Sequence, residues 1–195
     1  GTYMAAVAAT GGQVLVKNII PKHMDCITAK LQECGVEVEE REDTLLVRRT
    51  GKLQKANVKT LPYPGFPTDM QPQQITAVLC LAEGTSLVTE SVWNSRYQYV
   101  DELKRMGAHI QVDDKTAVVE GVDHLTGAPI QACDLRAGAA MVIAALAAQG
   151  QSEISCVQYI ERGYEDIVEK LRALGADIRS VEEPGEGAEL EAHIS

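Results

Sequence analysis

The sequence predicts an α/β domain built from three copies of one structural unit. Two sets of glycines carry this prediction, because each set recurs at a nearly constant interval. The glycines that follow a first helix are 72 and 66 residues apart, at Gly12, Gly84 and Gly150. Those that follow a second helix are 72 and 68 residues apart, at Gly35, Gly107 and Gly175. Two landmarks that recur in step indicate an internal repeat.

Each copy combines helical and strand patterns in the same order. The second helices carry apolar residues at helical spacing, and glycine after the last turn is the usual left-handed cap. Short β-rich runs follow the glycines and predict strands at 13–16, 36–39, 45–47, 86–89, 109–112 and 116–119. The unit is therefore about one βαβαββ motif, with copies at about 1–56, 57–122 and 123–180. Periodicity leaves open whether helices or sheets form the interior.

The two ends of this single 195-residue domain are expected to depart from the pattern. Only 11 residues precede Gly12, whereas 27 residues separate Asn57, near the start of a strand, from Gly84. The first copy is therefore expected to lack its opening strand and the first turn of its helix. Residues 181–195 are rich in acids and are predicted to form a solvated tail.

Charge and composition argue against several classes of function. The net charge is -10 and aromatic residues make up 4%, which disfavours a nucleic-acid-binding face. The longest apolar run, 137–148, is shorter than the ~20 residues that span a bilayer. The four histidines lack ligand spacing, so no metal site is predicted. The five cysteines form no CxxC pair and indicate free thiols in a reducing cytoplasm.

A proline-rich segment, 61–67, leads into a helical pattern that opens at Asp69. Prolines make this approach extended and rigid. Thr68 and Gln71 fit a capping box, which would place Asp69 in the first helical turn. Two interpretations stay open at this point. Asp69 either complements the helix dipole or serves as a catalytic carboxylate.

Three arginines lie near the predicted beginnings of helices, at Arg96, Arg136 and Arg162. Cations usually favour the opposite end of a helix, because the helix dipole is positive at its beginning. Arginines placed against the dipole indicate either an anion-binding site or buried ion pairs. The residues alone favour neither interpretation.

Four motifs together resemble the MurA enzymes, the UDP-N-acetylglucosamine 1-carboxyvinyltransferases of the enolpyruvyl transferase family. They are F-P-T-D-M-Q at 66–71, N-S-R ahead of V-D-E-L-K-R-M-G-A at 94–108, C-D-L-R-A at 133–137, and R-G-Y-E with K-L-R-A-L-G-A at 162–176. The similarity runs in order from residue 1 to about 179. It implies an inside-out α/β barrel, the EPSP synthase-like fold, whose two globular domains each contain three βαβαββ units.

The resemblance also implies an activity and roles for five residues. MurA-like enzymes transfer enolpyruvate from phosphoenolpyruvate to the 3-hydroxyl of UDP-N-acetylglucosamine, the first committed step of peptidoglycan synthesis. Asp69 would contact that hydroxyl and can remove its proton. The main chain of Val92 would bind the nucleotide sugar, Arg162 would hold phosphoenolpyruvate, and Arg96 and Arg136 would support the charged site. No metal or organic cofactor is implied.

The chain departs from the family pattern in two places and resembles only one of its two domains. Asn94 stands where the family often has glutamate, and Gln158 and Glu161 replace the usual histidine and aspartate. The family's catalytic cysteine loop belongs to the other, N-terminal domain, so the fragment is expected to need that domain as its partner and to be inactive alone. The alternatives are half of a 5-enolpyruvylshikimate-3-phosphate synthase, or a non-catalytic binding module that shares the repeat.

Overall fold

The computed structural model describes residues 1–70, 73–182 and 188–194, which form seven α-helices and eleven β-strands. The helices are α1 (Thr2–Thr10), α2 (Asp25–Glu33), α3 (Gln73–Leu79), α4 (Val100–Arg105), α5 (Leu135–Ala147), α6 (Gln158–Glu161) and α7 (Ile167–Ala173). The strands are β1 (Gly12–Val16), β2 (Glu37–Glu40), β3 (Leu45–Arg49), β4 (Val58–Lys59), β5 (Thr85–Thr89), β6 (His109–Asp113), β7 (Thr116–Glu120), β8 (Pro129–Gln131), β9 (Gly150–Ser155), β10 (Asp177–Glu182) and β11 (Ala188–Ile194). The predicted α/β class and all six predicted strands are confirmed.

The interior is formed by three helices, α1, α3 and α5, which pack against one another. Every residue of α5 from Ala137 to Leu146 is buried, as expected for a helix that is apolar on all sides. Residues 4–9 of α1 and 75–79 of α3 are buried as well. Alanines supply much of this contact surface, and such small side chains allow helices to approach closely. The structure therefore decides the question that periodicity left open, with these three helices inside.

Three sheets surround the central helices. Their strand orders are β1-β3-β2, β4-β5-β7-β6 and β8-β9-β11-β10. Most neighbouring strands are antiparallel, whereas β4 pairs with β5 and β8 pairs with β9 in parallel. Helix α1 contacts β1 and β3, α3 contacts β7, and α5 contacts β8, β9 and β11. Each sheet thus covers one side of the helical core.

The helices α2, α4 and α7 lie around the three central helices, and each buries one apolar side in the core, at Ile27, Leu103 and Leu171. Each contacts the strand that follows it, β2, β6 or β10. The predicted left-handed glycines after these helices are confirmed, with φ of 92° at Gly107 and 100° at Gly175. Helix α4 begins at Val100, and Ser95 ahead of it has a φ of 58°, a left-handed conformation that a helix cannot continue through.

Part of the predicted solvated acidic tail at 181–195 is strand instead, since β10 continues to Glu182 and residues 188–194 form a further strand. Residues Ala188–Ile194 form β11, which lies between β10 and β9, with Leu190 opposite both Ser180 and Ile154. Backbone pairing explains this outcome, because the free edges of β9 and β10 need hydrogen-bond partners. Apolar residues also occupy every second position at 188, 190, 192 and 194, as in a strand, although the acidic residues between them suggested a solvated tail. The boundaries of the three units stay a prediction.

Candidate functional site

Asp69 lies in a turn between β4 and α3. The preceding segment is closed by two backbone hydrogen bonds, from Leu61 N–H to the Phe66 carbonyl at 3.0 Å and from Gly65 N–H to the Pro62 carbonyl at 2.8 Å. Phe66 is buried and anchors this loop in the core. The rigid approach predicted from the prolines therefore delivers Asp69 to the beginning of a central helix. Gln71, the second half of the predicted capping box, lies outside the described residues.

The Asp69 carboxylate sits between two guanidinium groups. Its Oδ2 atom is 2.9 Å from Nη2 of Arg136, and its Oδ1 atom is 3.8 Å from Nη2 of Arg96. The Asp69 side chain is 56% exposed, whereas those of Arg96 and Arg136 are 15% and 31% exposed. The carboxylate is thus held by two cations and still reachable by a ligand. Arg96 and Arg136 therefore form ion pairs, which was one of the two interpretations of these arginines. Their remaining N–H groups can still bind an anion, which was the other.

Different elements supply the two arginines. Arg136 is the second residue of α5, and Asp134 caps this helix by accepting a hydrogen bond from Ala137 N–H at 2.8 Å. Arg96 lies in the loop between β5 and α4, with its guanidinium 5.4 Å from the ring centroid of Trp93. The buried Nε atom of Arg96 has no hydrogen-bond partner among the described residues. Three segments distant in sequence therefore meet at Asp69.

The beginnings of the central helices lie together at this end of the core. A Cβ atom added at Gly1, ahead of α1, would be 2.5 Å from Cε of Met70, next to Asp69. The hydroxyl groups of Thr2 and Tyr164 are 2.7 Å apart, which links α1 to the segment after α6. Helix beginnings carry partial positive charge, which adds to that of the arginines. This end of the core is therefore suited to a negatively charged ligand.

Arg162 lies beside this site and does not contact Asp69. It ends α6, and its guanidinium is 6.0 Å from the ring centroid of Tyr159. In the described part of the chain, Arg162 forms no ion pair with Asp69. Its neighbour Gly163 packs so closely on Leu135 that an added Cβ atom would be 2.6 Å from Leu135 Cδ1. This contact fixes the Arg162 backbone next to the beginning of α5.

The main chain of Val92 is only partly available to a ligand. Val92 is 44% exposed, in the loop after β5. Its N–H group donates a hydrogen bond to Oε1 of Glu90 at 3.0 Å. A ligand bound by the Val92 main chain would therefore have to use the carbonyl oxygen.

Glu90 is a residue that sequence reasoning missed. It is 2% exposed, and its carboxylate accepts hydrogen bonds from the Thr60 hydroxyl at 2.9 Å and the Thr68 hydroxyl at 3.1 Å. It also accepts from the N–H groups of Val92 and Trp93, each at 3.0 Å. The sequence did contain a signal, because Ser86, Val88 and Glu90 alternate along β5 and share its buried face.

A cleft of about 500 Å³ opens beside Glu90, between the loop 93–98 and the β6–β7 hairpin. Tyr97 lines it, and its hydroxyl lies 2.9 Å and 2.8 Å from the carbonyls of Val88 and Lys115. Burial, followed by the negative charge of Glu90, raises the pKa of Tyr97 to about 12. Tyr97 is therefore a neutral hydrogen-bond donor at physiological pH. No cluster of three metal-ligating side chains, and no helix long and apolar enough to cross a bilayer, occurs within the described ranges.

Comparison with known proteins decides the family. Residues 1–171 match the model of the EPSP synthase (3-phosphoshikimate 1-carboxyvinyltransferase) family. The chain belongs to the EPSP synthase family. Several curated relatives of the chain are named for a different acceptor from the one in the family's name. A protein of Caldanaerobacter subterraneus subsp. tengcongensis, called UDP-N-acetylglucosamine 1-carboxyvinyltransferase 3, is 55% identical over 183 residues, which are 94% of this chain and 44% of the relative.

A relative from Desulfofundulus thermocisternus, named UDP-N-acetylglucosamine 1-carboxyvinyltransferase, is 53% identical over 91% of this chain and 73% of its own length. The predicted resemblance to this branch of the EPSP synthase family is thereby confirmed. The chain spans less than half the length of the Caldanaerobacter relative and of two Clostridium relatives, at 44%, 42% and 42%.

Solved structures of the EPSP synthase family share the fold. The enolpyruvyl transferase NikO from Streptomyces tendae superposes with a TM-score of 0.82 at 28% identity, over 94% of this chain and 43% of NikO. An EPSP synthase from Acinetobacter baumannii gives a TM-score of 0.65 at 16% identity, over 98% of this chain and 45% of that enzyme. The second similarity concerns the fold alone.

Proposed function

We propose that this chain forms one wall of the active site of an enolpyruvyl transferase. The enzyme would transfer enolpyruvate from phosphoenolpyruvate to the 3-hydroxyl of UDP-N-acetylglucosamine, in the first committed step of peptidoglycan synthesis. The names of the relatives, at 51–56% identity, support the nucleotide sugar as acceptor. The alternative acceptor, shikimate 3-phosphate, has the support of the family name alone.

The observation that carries this proposal is the exposed Asp69 carboxylate between two guanidinium groups. A fixed carboxylate can accept a hydrogen bond from the acceptor hydroxyl and take its proton as the oxygen attacks. Arg96 and Arg136 orient the carboxylate, and their remaining N–H groups favour the charge of a bound phosphate or carboxylate. The main-chain carbonyl of Val92 would complete the contacts to the nucleotide sugar.

Arg162 is proposed to hold the phosphoenolpyruvate anion. It makes no ion pair within the described residues, so no carboxylate described in the structure neutralises its charge. Enolpyruvyl transfer requires addition to the vinyl carbon and later loss of phosphate, and both steps gain from fixed positive charge. The packing of Gly163 on Leu135 gives the Arg162 backbone a defined position for this task.

The rest of the proposal concerns the whole protein. We assign the chain the inside-out α/β barrel arrangement, with three βαβαββ units at about 1–56, 57–122 and 123–180. An N-terminal domain with a cysteine loop would supply the opposite wall, so the 195-residue chain alone would be inactive. The enzyme would act in the cytoplasm, where both substrates occur, and would need no metal or organic cofactor.

A chimera tests the activity and the acceptor. This chain would replace the aligned 183 residues of the Caldanaerobacter relative, with which it is 55% identical. Phosphate release from phosphoenolpyruvate would be measured with UDP-N-acetylglucosamine or with shikimate 3-phosphate as acceptor. We expect release with the nucleotide sugar only, and no release by the 195-residue chain alone. A chimera that folds and uses shikimate 3-phosphate instead would overturn the proposed acceptor.

Variants of the chimera test the roles of the residues. Asp69→Ala should lower kcat by at least about 100-fold and raise KM far less, because proton removal belongs to the transition state. Arg162→Ala should lower kcat by at least about 100-fold and also raise the KM for phosphoenolpyruvate, because Arg162 binds this substrate as well. Arg172→Ala is the matched control, since Arg172 is exposed on α7 and pairs only with Glu169 among the described residues. If Asp69→Ala or Arg162→Ala behaves like the control, the proposed role of that residue is wrong.

A further inference from the structure

Glu90 connects three segments that lead to the candidate site. One is the end of β4, through the Thr60 hydroxyl, and the second is the turn that carries Asp69, through the Thr68 hydroxyl. The third is the loop after β5, through the N–H groups of Val92 and Trp93. All of these bonds converge on one carboxylate that is 2% exposed.

The position of the Glu90 carboxylate is itself fixed. The backbone N–H of Glu90 donates a hydrogen bond to the Lys115 carbonyl at 2.8 Å, at the end of the paired strands β5 and β7. The Thr60 hydroxyl also accepts a hydrogen bond from Ser91 N–H at 2.7 Å. A buried acceptor held by a sheet on one side and by several donors on the other cannot move independently of them. Displacement of the carboxylate would therefore shift both the Asp69 turn and the 91–93 loop.

A general contribution to stability does not account for this arrangement by itself. Another buried glutamate, Glu102 on α4, is 7% exposed and accepts a hydrogen bond from Gln131 N–H at 2.9 Å. It also pairs with Arg105, whereas Glu90 has no ion pair in the described part of the chain. The bonds of Glu90 are instead directed to residues adjacent to Asp69 and to the exposed loop residues Val92 and Trp93.

We infer that Glu90 is a positioning residue that sets the distance between the Asp69 carboxylate and the Val92 main chain, and so orients the nucleotide-sugar acceptor. The effect of Glu90 on the binding of the acceptor rests on the proposed function, whereas its effect on the position of the 91–93 loop does not. Glu90 itself touches no reacting atom. Because Glu90 occupies the Val92 N–H group, the Val92 main chain can contact a ligand only through its carbonyl oxygen, as a hydrogen-bond acceptor.

The kinetic test uses Glu90→Gln in the chimera, with Glu102→Gln as the matched control. Glutamine keeps the size of the side chain and one acceptor oxygen. It removes the negative charge that strengthens these hydrogen bonds, and it puts a donor where Oε2 accepts from the Thr68 hydroxyl. We expect the KM for UDP-N-acetylglucosamine to rise about tenfold in Glu90→Gln, with the KM for phosphoenolpyruvate nearly unchanged. Glu102→Gln should change neither KM. Equal effects in the two variants would show that Glu90 is merely structural.

A second readout does not depend on catalysis, because Trp93 is the single tryptophan of the chain. Acrylamide quenching of Trp93 fluorescence in the 195-residue chain should become faster in Glu90→Gln and stay unchanged in Glu102→Gln. An inactive parent chimera would refute the proposed function and leave this readout valid. Unchanged quenching in a folded Glu90→Gln chain would refute the positioning role.

Thr68→Val covers the case in which Glu90→Gln fails to fold. This change removes only the hydroxyl that links Glu90 to the Asp69 turn. It should raise the KM for UDP-N-acetylglucosamine in the chimera while leaving the quenching of Trp93 unchanged. A Thr68→Val chimera with unaltered KM values would disprove the link between Glu90 and Asp69.

Discussion

The cap of the central helix α5 provides a sharp test of how the fold supports the site. Asp134 accepts a hydrogen bond from Ala137 N–H at 2.8 Å, and Arg136 follows within the same turn. Replacement by alanine in Asp134→Ala leaves this N–H group without its partner. The change should therefore destabilise α5 at the end that holds Arg136 against Asp69.

The magnitude follows from the single bond that is lost. Loss of an N-cap side chain costs about 1 kcal/mol, and up to about 2 kcal/mol where the cap is well formed. In a domain of this size, each kcal/mol lowers Tm by about 2–4 °C. We expect Asp134→Ala to lower Tm by about 2–4 °C. Asp134→Asn, which keeps a capping oxygen, should lose much less.

Thermal unfolding of the 195-residue chain, followed by circular dichroism, measures these differences. Asp166→Gly is the control, because Asp166 also precedes a helix but makes no capping bond. Its φ is 51°, a conformation that glycine adopts without strain, so its Tm should hardly change. Equal Tm values for Asp134→Ala and Asp134→Asn, or a larger loss in Asp166→Gly, would refute the reasoning.

Three further predictions concern burial in the core and beside the site. Burial raises the pKa of the Cys34 and Cys80 thiols to about 11 and about 12, so both should resist alkylation by iodoacetamide at pH 8 until the chain is unfolded. Mass spectrometry would detect the modification, and labelling of either thiol in the native state would contradict the prediction. Burial also raises the pKa of Tyr97 from 10.0 to about 12, so the folded state favours the neutral form; this stability is fully present below pH 10 and is lost as the pH rises through 12. Denaturant unfolding should show a smaller loss for Tyr97→Phe than for the parent chain, because Tyr99, Cys34 and Cys80 also have raised pKa values and remain in the variant; equal losses would contradict the prediction. Leu103→Ala should lower the free energy of unfolding by about 2–5 kcal/mol because Leu103 is fully buried. In contrast, Leu174→Ala should cost less than about 0.5 kcal/mol since Leu174 is 53% exposed; equal losses in the two leucine variants would show that burial does not set the cost.

Part of the site could be predicted from local sequence. The prolines before Asp69 and the beginning of a helix near Arg136 are short-range features, and both occur as predicted, although Asp69 lies in a turn and not in the first turn of a helix. The proximity of Asp69, Arg96 and Arg136 could not be derived from spacing, because three different elements must first pack together. Glu90 was missed for the same reason, since its four partners come from three separate segments.

The sequence by itself determined local elements of this protein: six of the eleven described strands, the left-handed glycines after the outer helices, and the buried character of α5. These features depend on side-chain periodicity and backbone conformation within a few residues. Only the tertiary structure decided that three helices lie inside and the sheets outside, because both arrangements satisfy the same periodicity. It also decided that Ala188–Ile194 is a strand, since the need of β9 and β10 for hydrogen-bond partners outweighs the acidity of that segment.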